Sequence, residues 1–336
     1  MGIVGIIANP ASGKDIRRLV AYGTIFDNQE KANIVRRLIL SLASVGIKEL
    51  VYMPDYYGIV LAAAEQIDSR HRPDMEYIPA DICLSATQID SFNAAEAMVA
   101  SGVNCIVTLG GDGTNRLVAK GCGNVPILPI STGTNNVFPG MIEGSIAGLA
   151  AGVIARGIIA GPPMVNPSKK LVIYKNGIPV DIALVDAVVL KDNFIGSRAI
   201  WDVKRISQIV VTRGEAHNIG ISAIVGNLAP ITVRDCHGMV LDIGEGDIQV
   251  RVPIAPGLIE MVQIKNFKPL PIDGVVEVNV APCVIALDGE REVEIGENDR
   301  AQIQLTFDGP KVVDVEETLR AAVAKGYSCN MRNVAG

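Results

Sequence analysis

The sequence contains few aromatic residues, no closely spaced cysteine pair and no run of basic residues. Phe, Trp and Tyr together make up 4% of the 336 residues, whereas hydrophobic residues make up 49% and 34 residues are glycine. Such a composition is typical of an α/β enzyme with aliphatic cores and many tight turns. The formal net charge of −6 and the lack of a basic run argue against a general nucleic-acid binder.

The six cysteines are scattered along the chain, so the sequence indicates neither a zinc site nor a disulfide framework. Several of them lie in apolar runs, as buried free thiols do. Residues 1–8 lack a basic leader and are too few to span a bilayer, so we interpret them as a strand rather than as a signal peptide. We therefore expect a cytoplasmic protein without a membrane span.

The most informative stretch is an apolar run that ends in a glycine-rich turn. Residues 103–109 do not alternate in polarity, which is typical of a strand buried on both faces of a parallel sheet. Gly110-Gly111-Asp112-Gly113-Thr114 follows, and we predict that a helix begins near Asn115. The amide groups of such a turn and of a helix N-terminus have no partner of their own and form a site for a phosphate.

Asp112 lies within this turn, where its carboxylate would repel a bare phosphate. A site that combines amide donors with one acid suits a metal-bound nucleotide, or an acid that accepts a proton next to the phosphate. The alternative is structural: the glycines provide positive φ angles and Asp112 caps the helix. The rest of the sequence favours the nucleotide interpretation.

Two further polar turns follow predicted strands. Residues 3–8 lead into Asn9-Pro10-Ala11-Ser12-Gly13-Lys14-Asp15, and residues 125–130 lead into Ser131-Thr132-Gly133-Thr134-Asn135-Asn136-Val137-Phe138. The first turn is not a P-loop, because Ala8 and Asp15 occupy positions that require Gly and Ser or Thr. A Rossmann motif is also disfavoured, because Arg116 replaces its third glycine. Since parallel strands end at the same sheet edge, three such turns predict a ligand site there.

The chain length and the order of elements predict two domains. In residues 1–160, strands alternate with helical stripes, so we expect a three-layer α/β/α domain around a parallel sheet. Residues 161–167 are interpreted as a linker. Residues 161–311 are expected to form a β-sandwich, and a helix at 315–324 is expected to return to the first domain, which residues 312–336 would complete. The strand-like segments of the sandwich are residues 171–174, 182–190, 206–212, 219–225, 239–243, 248–252, 258–264, 275–280, 283–287 and 301–307.

Together these motifs resemble those of the NAD kinase and diacylglycerol kinase superfamily. The shared features are the glycine-rich turn at 110–114, Asn9-Pro10 with Ser12-Gly13-Lys14, and Asp288-Gly289-Glu290 late in the β domain. The opening, residues 9–18 followed by Glu30-Lys31-Ala32-Asn33, looks most similar to the acetoin-catabolism protein X branch, which is usually described as ATP-NAD kinase-like. The resemblance implies that ATP and Mg²⁺ bind between an α/β domain and a β-sandwich, and that the γ-phosphate passes to a hydroxyl group.

The resemblance also implies roles for individual residues. Asp112 would be the acid at the reacting centre, and Glu290 would match the lipid-kinase glutamate that activates the acceptor hydroxyl. The alternative for Asp288-Gly289 is an ordinary hairpin turn. Asp186 and Asp288 are expected to contact the acceptor. The residues expected to bind the nucleotide are Asn9, Ser12, Gly13, Lys14, Gly110, Gly111, Gly113, Thr114, Asn115, Thr132, Gly133, Thr134, Asn135 and Asn136.

The sequence leaves the acceptor open. NAD kinases hold the dinucleotide with an Asn-Glu pair, but the matching positions here are Asp186 and Ala187, and no counterpart of their Thr-Pro-Thr-Gly-Ser loop lies between residues 211 and 240. Three readings stay open: a kinase of NAD(H) or another small hydroxyl compound, a lipid or sphingoid kinase, and a nucleotide-binding regulator without transfer activity. We expect a homo-oligomer that binds small molecules and no nucleic acid.

Two weaker candidates complete the set. Asp235-Cys236-His237 contains metal-ligating side chains, but three adjacent residues of a strand or turn cannot all face one ion. The other is a basic cluster that suits either an anionic acceptor or a solvated helix face. It consists of Arg198, Lys204 and Arg205 beside Trp201.

Overall fold

The computed structural model of the chain describes residues 2–13, 26–191 and 203–327. The predicted site residue Lys14, and Arg198 and Trp201 of the basic cluster, lie outside these ranges. In the described ranges the strands form three sheets, with seven, six and four strands. The seven-stranded sheet belongs to the N-terminal part, and the other two sheets belong to the C-terminal part.

The N-terminal sheet has the order β3-β2-β1-β4-β5-β17-β6. Strands β1 to β5 are parallel, and β4 is buried at every residue, as its continuous apolar run predicts. Two late or irregular strands extend the sheet: β17 pairs parallel with β5, and β6 pairs antiparallel with β17. The strands are β1 (Ile3–Ala8), β2 (Glu49–Tyr52), β3 (Glu76–Pro79), β4 (Cys105–Gly110), β5 (Ile127–Ser131), β6 (Val165–Pro167) and β17 (Lys311–Val313).

Helices cover both faces of this sheet. One face packs against α1, α2 and α5, whose apolar stripes share a core with Val4, Ile6 and Val107. The other face packs against α3 and α4 around Met98 and Val118. The helices are α1 (Asn28–Ser44), α2 (Ile59–Glu65), α3 (Ile89–Ala100), α4 (Asp112–Gly121), α5 (Gly144–Ala155) and α7 (Val315–Ala324), the last of which contacts α5.

The C-terminal part is a sandwich of two antiparallel sheets, ordered β12-β11-β10-β9-β14-β15 and β13-β16-β7-β8. Ile173 and Ile303 of one sheet share a buried core with Val189 and Ile285 of the other. The short helix α6 (Ser222–Leu228) packs on the outer face of the larger sheet. The strands are β7 (Lys170–Lys175), β8 (Ile178–Ala183), β9 (Asp186–Leu190), β10 (Ile206–Val211), β11 (His237–Ala255), β12 (Leu258–Pro271), β13 (Val275–Val278), β14 (Cys283–Leu287), β15 (Glu290–Ile295) and β16 (Ala301–Thr306).

The predicted fold class, a three-layer α/β/α part followed by a β-sandwich, is confirmed. The helix predicted at 315–324 is α7, and it packs beside the N-terminal sheet. None of the helices in the described parts of the chain has both the length and the apolarity needed to cross a membrane.

Three predicted elements were wrong in type or extent. Residues 219–225, predicted as a strand, lead into helix α6, because Ile224 and Val225 pack as one helical face on the larger sheet. The predicted linker includes β6, where Pro167 is tolerated because β6 is an edge strand. The segments 239–243 and 248–252 form the single strand β11, in which the intervening glycine-containing segment is accommodated by a register shift against β12.

Two boundaries also differ. The predicted strand 182–190 is broken between β8 and β9, where the backbone amides of Leu184 and Val185 donate to the Asp288 carboxylate instead of to a neighbouring strand. Helix α4 begins at Asp112 rather than near Asn115, since Gly111 is the N-cap and the Asn115 amide already donates to the Gly111 carbonyl at 3.1 Å. Asp112 therefore belongs to the first helical turn.

Candidate active site

A cleft opens at the carboxyl ends of β1, β4 and β5, which are neighbours in the N-terminal sheet, and the sandwich forms its opposite side. We call the first side the loop wall; it consists of residues 9–13, 111–114 and 132–137. The second side, the sandwich wall, consists of Asp186 and residues 219–222, 254–258 and 288–290. The three polar turns singled out in the sequence thus lie together on one wall.

Side-chain hydrogen bonds connect the three turns of the loop wall. Asn9 Nδ2 donates to Thr114 Oγ1 at 2.8 Å, which joins the first turn to the start of α4. The hydroxyl groups of Ser12 and Thr132 lie 2.9 Å apart and join the first turn to the third. Because Thr132 is fully buried, the contact is part of a fixed framework and not of a surface loop.

Lys31 of α1 holds the first turn in place by bonding to its backbone. Its side chain is fully buried, and Nζ donates to the carbonyl oxygens of Asn9 at 2.8 Å and Ser12 at 2.7 Å. Burying an ammonium group is costly unless several acceptors surround it. The bonds direct the carbonyl groups of the turn towards α1, away from the cleft.

The glycines of the second turn are required by close approach. A Cβ atom on Gly110 would lie 2.5 Å from Thr114 Cβ, and one on Gly111 would lie 2.8 Å from Asn136 Oδ1. The alternative that they supply positive φ angles is wrong for these described residues, since Gly110, Gly111 and Gly113 have φ outside the left-handed region. The turn is therefore packed tightly against the third loop and against α4.

Asp112 connects the start of α4 to the third loop. Its Oδ1 accepts hydrogen bonds from the backbone amides of Phe138 at 2.7 Å and Val137 at 3.0 Å. A carboxylate in the first turn of a helix is also favoured by the helix dipole. These bonds hold the loop 132–137 against the helix N-terminus, so Asp112 shapes the cleft whatever else it does.

Asp288 and Glu290 belong to the hairpin between β14 and β15. Asp288 and Gly289 both have positive φ, +50° and +85°, so the hairpin-turn interpretation holds for the backbone. The buried Asp288 carboxylate accepts the amides of Leu184, Val185 and Asp186 at 2.8 to 3.2 Å. Burial raises the pKa of Asp288, and Arg116 and the amide donors oppose this rise.

The tight turn projects Glu290 across the cleft. A Cβ atom on Gly113 would lie 3.3 Å from Glu290 Oε1, which places this carboxylate against the first turn of α4. Gln88 Nε2, from the residue before α3, donates to the same Oε1 at 3.1 Å. Burial raises the pKa of Glu290 above the usual glutamate value, and Glu292 adds to the effect, whereas Gln88 and Arg116 oppose it. A carboxylate thus faces the glycine turn from the opposite wall.

Arg116 joins α4 to the sandwich behind the cleft. Its side chain is 2% exposed and contacts Asp181 at 3.0 Å and Glu292 at 2.8 Å, with Asp288 at 3.9 Å. Burial disfavours the charge, but the carboxylates of Asp288, Asp181 and Glu292 raise the pKa of Arg116. Lys120, one helical turn later, donates to Asp181 at 2.9 Å. This cluster fixes the sandwich wall relative to α4.

A second buried arginine approaches the loop wall from the sandwich. Arg213 follows β10, is 6% exposed, and lies 5.0 Å from the centre of the Phe138 ring. Burial lowers the pKa of Arg213 to about 10, although Asp112 and Asp288 favour its charged form. Its guanidinium therefore carries a positive charge at neutral pH behind two carboxylates of the cleft.

Most of the residues singled out in the sequence lie at the cleft. Of the predicted nucleotide-binding set, Gly110 and Asn115 are buried beneath the wall, and Asn115 Oδ1 accepts a bond from Thr108 at 2.6 Å. Asp186 is on the sandwich wall. The set members on the loop wall are Asn9, Ser12, Gly13, Gly111, Gly113, Thr114, Thr132, Gly133, Thr134, Asn135 and Asn136.

The weaker candidates lie elsewhere. Lys204 and Arg205 are exposed in a short 3₁₀ turn, Val203–Arg205. Asp235 accepts hydrogen bonds from Thr232 at 2.7 Å, and within the described ranges no group of three His, Cys, Asp or Glu side chains could hold a metal.

The sequence did not reveal several residues of the cleft. Gln88 carries no motif, and the aliphatic segments 219–222 and 254–258 look like ordinary core. Arg116 had one usable signal, since it follows Asp112 by one helical turn and therefore faces the same side of α4.

The chain is similar over nearly its whole length to a bacterial protein. Over 332 residues it is 37% identical to the acetoin catabolism protein X of Cupriavidus necator, covering 95% of this chain and 92% of that protein. The chain belongs to the acetoin catabolism protein X family. The family model of the acetoin catabolism protein X C-terminal domain matches residues 169–308, and that of the ATP-NAD kinase N-terminal domain matches residues 4–158. The superfamily and the branch predicted from the motifs are confirmed.

Two solved structures are also similar to the chain at low sequence identity. Yeast NADH kinase, in a complex with NADH, shares 12% identity with this family member at a TM-score of 0.49, covering 100% of this chain and 90% of that one. A diacylglycerol kinase-like protein from Bacillus anthracis shares 14% identity at a TM-score of 0.43, covering 93% of this chain and 97% of that one.

Proposed function

We propose that this member of the acetoin catabolism protein X family transfers the γ-phosphate of ATP to a hydroxyl group of a small acceptor. The observation that carries the proposal is the position of Glu290. Its carboxylate crosses from the sandwich wall to lie against Gly113, in the first turn of the helix that follows the glycine-rich turn. A carboxylate base and a phosphate-binding backbone thus face each other across one cleft.

The loop wall has the properties of a phosphate site. In the turn after β4, Gly111 and Gly113 line the cleft without a side chain, so a ligand can approach their backbone closely. By helix geometry, the first amide groups of α4 have no acceptor within the helix. We propose that Gly111, Gly113 and Thr114 bind the phosphates of ATP, and that Ser12 and Asn135 bind the remainder of the nucleotide.

Magnesium fits this arrangement as a companion of the phosphates. Protein sites for Mg²⁺ with a nucleotide commonly supply only one or two carboxylates, and the cleft offers Asp112 and Asp186 for this purpose. When bound, the ion neutralises charge on the phosphates. The protein's own contribution is to position the nucleotide and to keep a base beside the acceptor.

The proposed step is an in-line transfer. The acceptor hydroxyl gives its proton to the Glu290 carboxylate while its oxygen forms a bond to the γ-phosphorus. The bond between that phosphorus and the oxygen bridging to the β-phosphate breaks, so that ADP leaves and the proton later passes to solvent. Burial favours this role, because a glutamate whose pKa lies above the usual value is a better proton acceptor near neutral pH.

The acceptor is proposed to be a small hydroxyl compound. The sandwich wall combines Asp186 with aliphatic residues of 219–222 and 254–258, which suits a small molecule with an apolar part. The name of the Cupriavidus necator relative links the family to acetoin catabolism. The acceptors to compare are therefore hydroxyl compounds of that pathway, NAD⁺, NADH and a short-chain lipid alcohol.

The test is release of ADP from Mg²⁺-ATP with each acceptor, for the wild type, Glu290→Gln and Glu297→Gln. Glu290→Gln is expected to lower turnover by at least about 10²-fold, the usual scale for a general base. Glu297 is an exposed glutamate beyond the same hairpin, so Glu297→Gln is the matched control and should behave as the wild type.

Two other outcomes change the proposal. Full activity of Glu290→Gln would move the role of base to Asp112, for which Asp112→Asn gives the corresponding test. Tight ATP binding without turnover on any acceptor would instead favour a nucleotide-binding regulator.

We also propose that residues 1–160 with 312–336 form the nucleotide-binding domain and residues 161–311 the acceptor domain. The pairing of β17 with β5 and the packing of α7 on α5 support the return of the last segment to the first domain. The pairing of β6 with β17 favours a boundary just after residue 167 rather than at 161. The cytoplasmic location and the homo-oligomeric state stay predictions.

A further inference from the structure

We infer that Gln88 is the positioning residue for Glu290, holding its carboxylate over the first turn of α4 from the opposite side of the cleft. This inference rests on the proposed role of Glu290 as the base. It concerns a residue that belongs to none of the sequence motifs and that approaches Glu290 from the N-terminal part of the molecule.

Gln88 is presented by a short structured turn. The buried Asp90, inside the first turn of α3, accepts bonds from the Ser85 amide at 2.9 Å and the Ser85 hydroxyl at 2.6 Å. These bonds close the segment between residues 85 and 90 on itself. Gln88 occupies the N-cap position of α3 and directs its side chain to Glu290 instead of capping the helix.

The contact connects residues that are 202 positions apart in the chain. Gln88 Nε2 donates to Glu290 Oε1 at 3.1 Å, and the same oxygen is the atom nearest to a Cβ built on Gly113. Two neighbours from different elements therefore define where this oxygen lies. A glutamate side chain at the end of a hairpin can adopt several rotamers. Contacts that exclude some of these rotamers improve the alignment of the base with an acceptor.

The charged groups near Glu290 are compatible with Gln88 as its hydrogen-bond donor. Burial raises the pKa of Glu290, and Glu292 on the same strand raises it further. Arg116 of α4 lowers it but is already bonded to Glu292 at 2.8 Å. The other acidic side chains at the cleft, Asp112, Asp186 and Asp288, can only accept hydrogen bonds when ionised. Gln88 thus supplies a hydrogen-bond donor without adding a positive charge.

An amide is chemically suited to a base that changes its protonation state. The Gln88 NH₂ group donates to the carboxylate, and after the amide rotates by half a turn its oxygen can accept from the carboxylic acid. A lysine or arginine in this place would stabilise only the anion and would weaken the base. Gln88 can therefore form a hydrogen bond with Glu290 both before and after the proton is transferred.

The test uses the full-length protein with Gln88→Leu, which removes the donor, and Gln88→Glu, which replaces it by a like charge. The carboxyl pKa of Glu290 is measured by ¹³C NMR, with Glu290→Gln used to assign the signal. We expect the pKa to rise by about one pH unit in Gln88→Leu and further in Gln88→Glu. The acidic limb of the kcat/KM profile should move by the same amount, kcat should fall about tenfold, and ATP affinity should stay within twofold.

A matched control breaks another glutamine–glutamate pair. Gln302 Nε2 donates to Glu277 in the smaller sheet of the sandwich, so Gln302→Leu should leave the Glu290 signal and the activity unchanged. An unchanged Glu290 pKa in both Gln88 variants would overturn the inference, even if the wild type transfers phosphate. A wild type that transfers nothing, together with a raised Glu290 pKa in the variants, would overturn only the proposed function.

Discussion

The two walls of the cleft are held in place by different forces. The loop wall is built from turns at the ends of three adjacent parallel strands, and neutral hydrogen bonds join the side chains of Asn9 and Thr114 and those of Ser12 and Thr132. Two charged side chains, Lys31 and Asp112, bond to the backbone of these turns. The sandwich wall depends on buried charge: Asp288 orders the chain before β9, and Arg116 neutralises Asp288 and its neighbours.

The bonds within the loop wall determine the shape of that wall, whereas the buried charges of the sandwich wall determine how Glu290 is aligned with it. The neutral side-chain bonds between the loops are worth about 1 kcal/mol each, so losing any one of them should change the loop wall little. Buried ionic groups are worth little as a net gain but are very costly to break. The position of Glu290 relative to the loop wall should therefore be the most vulnerable property of the cleft.

The largest effect is expected from Arg116→Met, which removes the cation from the sandwich side and keeps a side chain of similar length. The fully buried Asp288 would lose the cation beside it, and Asp181 and Glu292 would each lose one partner, so we expect a loss of about 3–5 kcal/mol in the free energy of unfolding. The measurement is urea unfolding at neutral pH. Arg320→Met is the control, because Arg320 is 62% exposed and its pairs with Glu316 and Glu317 on α7 should be worth under about 1 kcal/mol.

A loss in Arg116→Met no greater than that in Arg320→Met would mean that the buried charge does not hold the sandwich wall. The contrast between the two walls would then disappear.

A smaller effect is expected from a substitution at the contact between the two walls, where Gly113 lies against Glu290. Gly113→Ala adds a methyl group 3.3 Å from Glu290 Oε1 while it improves a position inside α4. Stability should stay the same or rise by up to about 1 kcal/mol, because alanine favours the helix. Turnover should nevertheless fall about tenfold or more, because the carboxylate must move. Equal activity of Gly113→Ala and wild type, measured by ADP release, would show that Glu290 is not confined there.

The smallest effect is expected within the loop wall. Ser12→Ala, Thr132→Val and the double variant form a cycle around the 2.9 Å contact between the two hydroxyl groups. We expect a coupling energy of about 1 kcal/mol in unfolding and an increase of about fivefold in the Kd for ATP for each single variant. A coupling near zero would indicate that strand geometry alone sets the loop wall.

The loop wall could be predicted from the sequence because its determinants are local. An apolar run followed by a small polar turn is visible in the sequence at Asn9, at Gly110 and at Ser131, and parallel strands must end at one edge. The structural alternative for these glycines was wrong: Gly110 and Gly111 pack closely against Thr114 and Asn136 and do not have positive φ.

The sandwich wall could not be predicted in the same way because its determinants are far apart in the chain. The run 182–190 looks continuous, and only a buried acid at position 288 explains why it breaks at Leu184 and Val185. Residues 219–225 are too short an apolar run for helix and strand to be distinguished by periodicity. The contact of Gln88 with Glu290 crosses 202 positions and has no signature in either segment.

The strands β6 and β17 have a consequence for how this molecule could be divided. The chain leaves the N-terminal sheet through β6 and comes back through β17, and these two strands are hydrogen-bonded neighbours, with Asn166 opposite Val312. The two ends of the segment between β6 and β17 therefore lie only about one strand spacing apart on the α/β part. A short turn could replace it without moving the ends, so that one scaffold could carry different acceptor modules through evolution or by design.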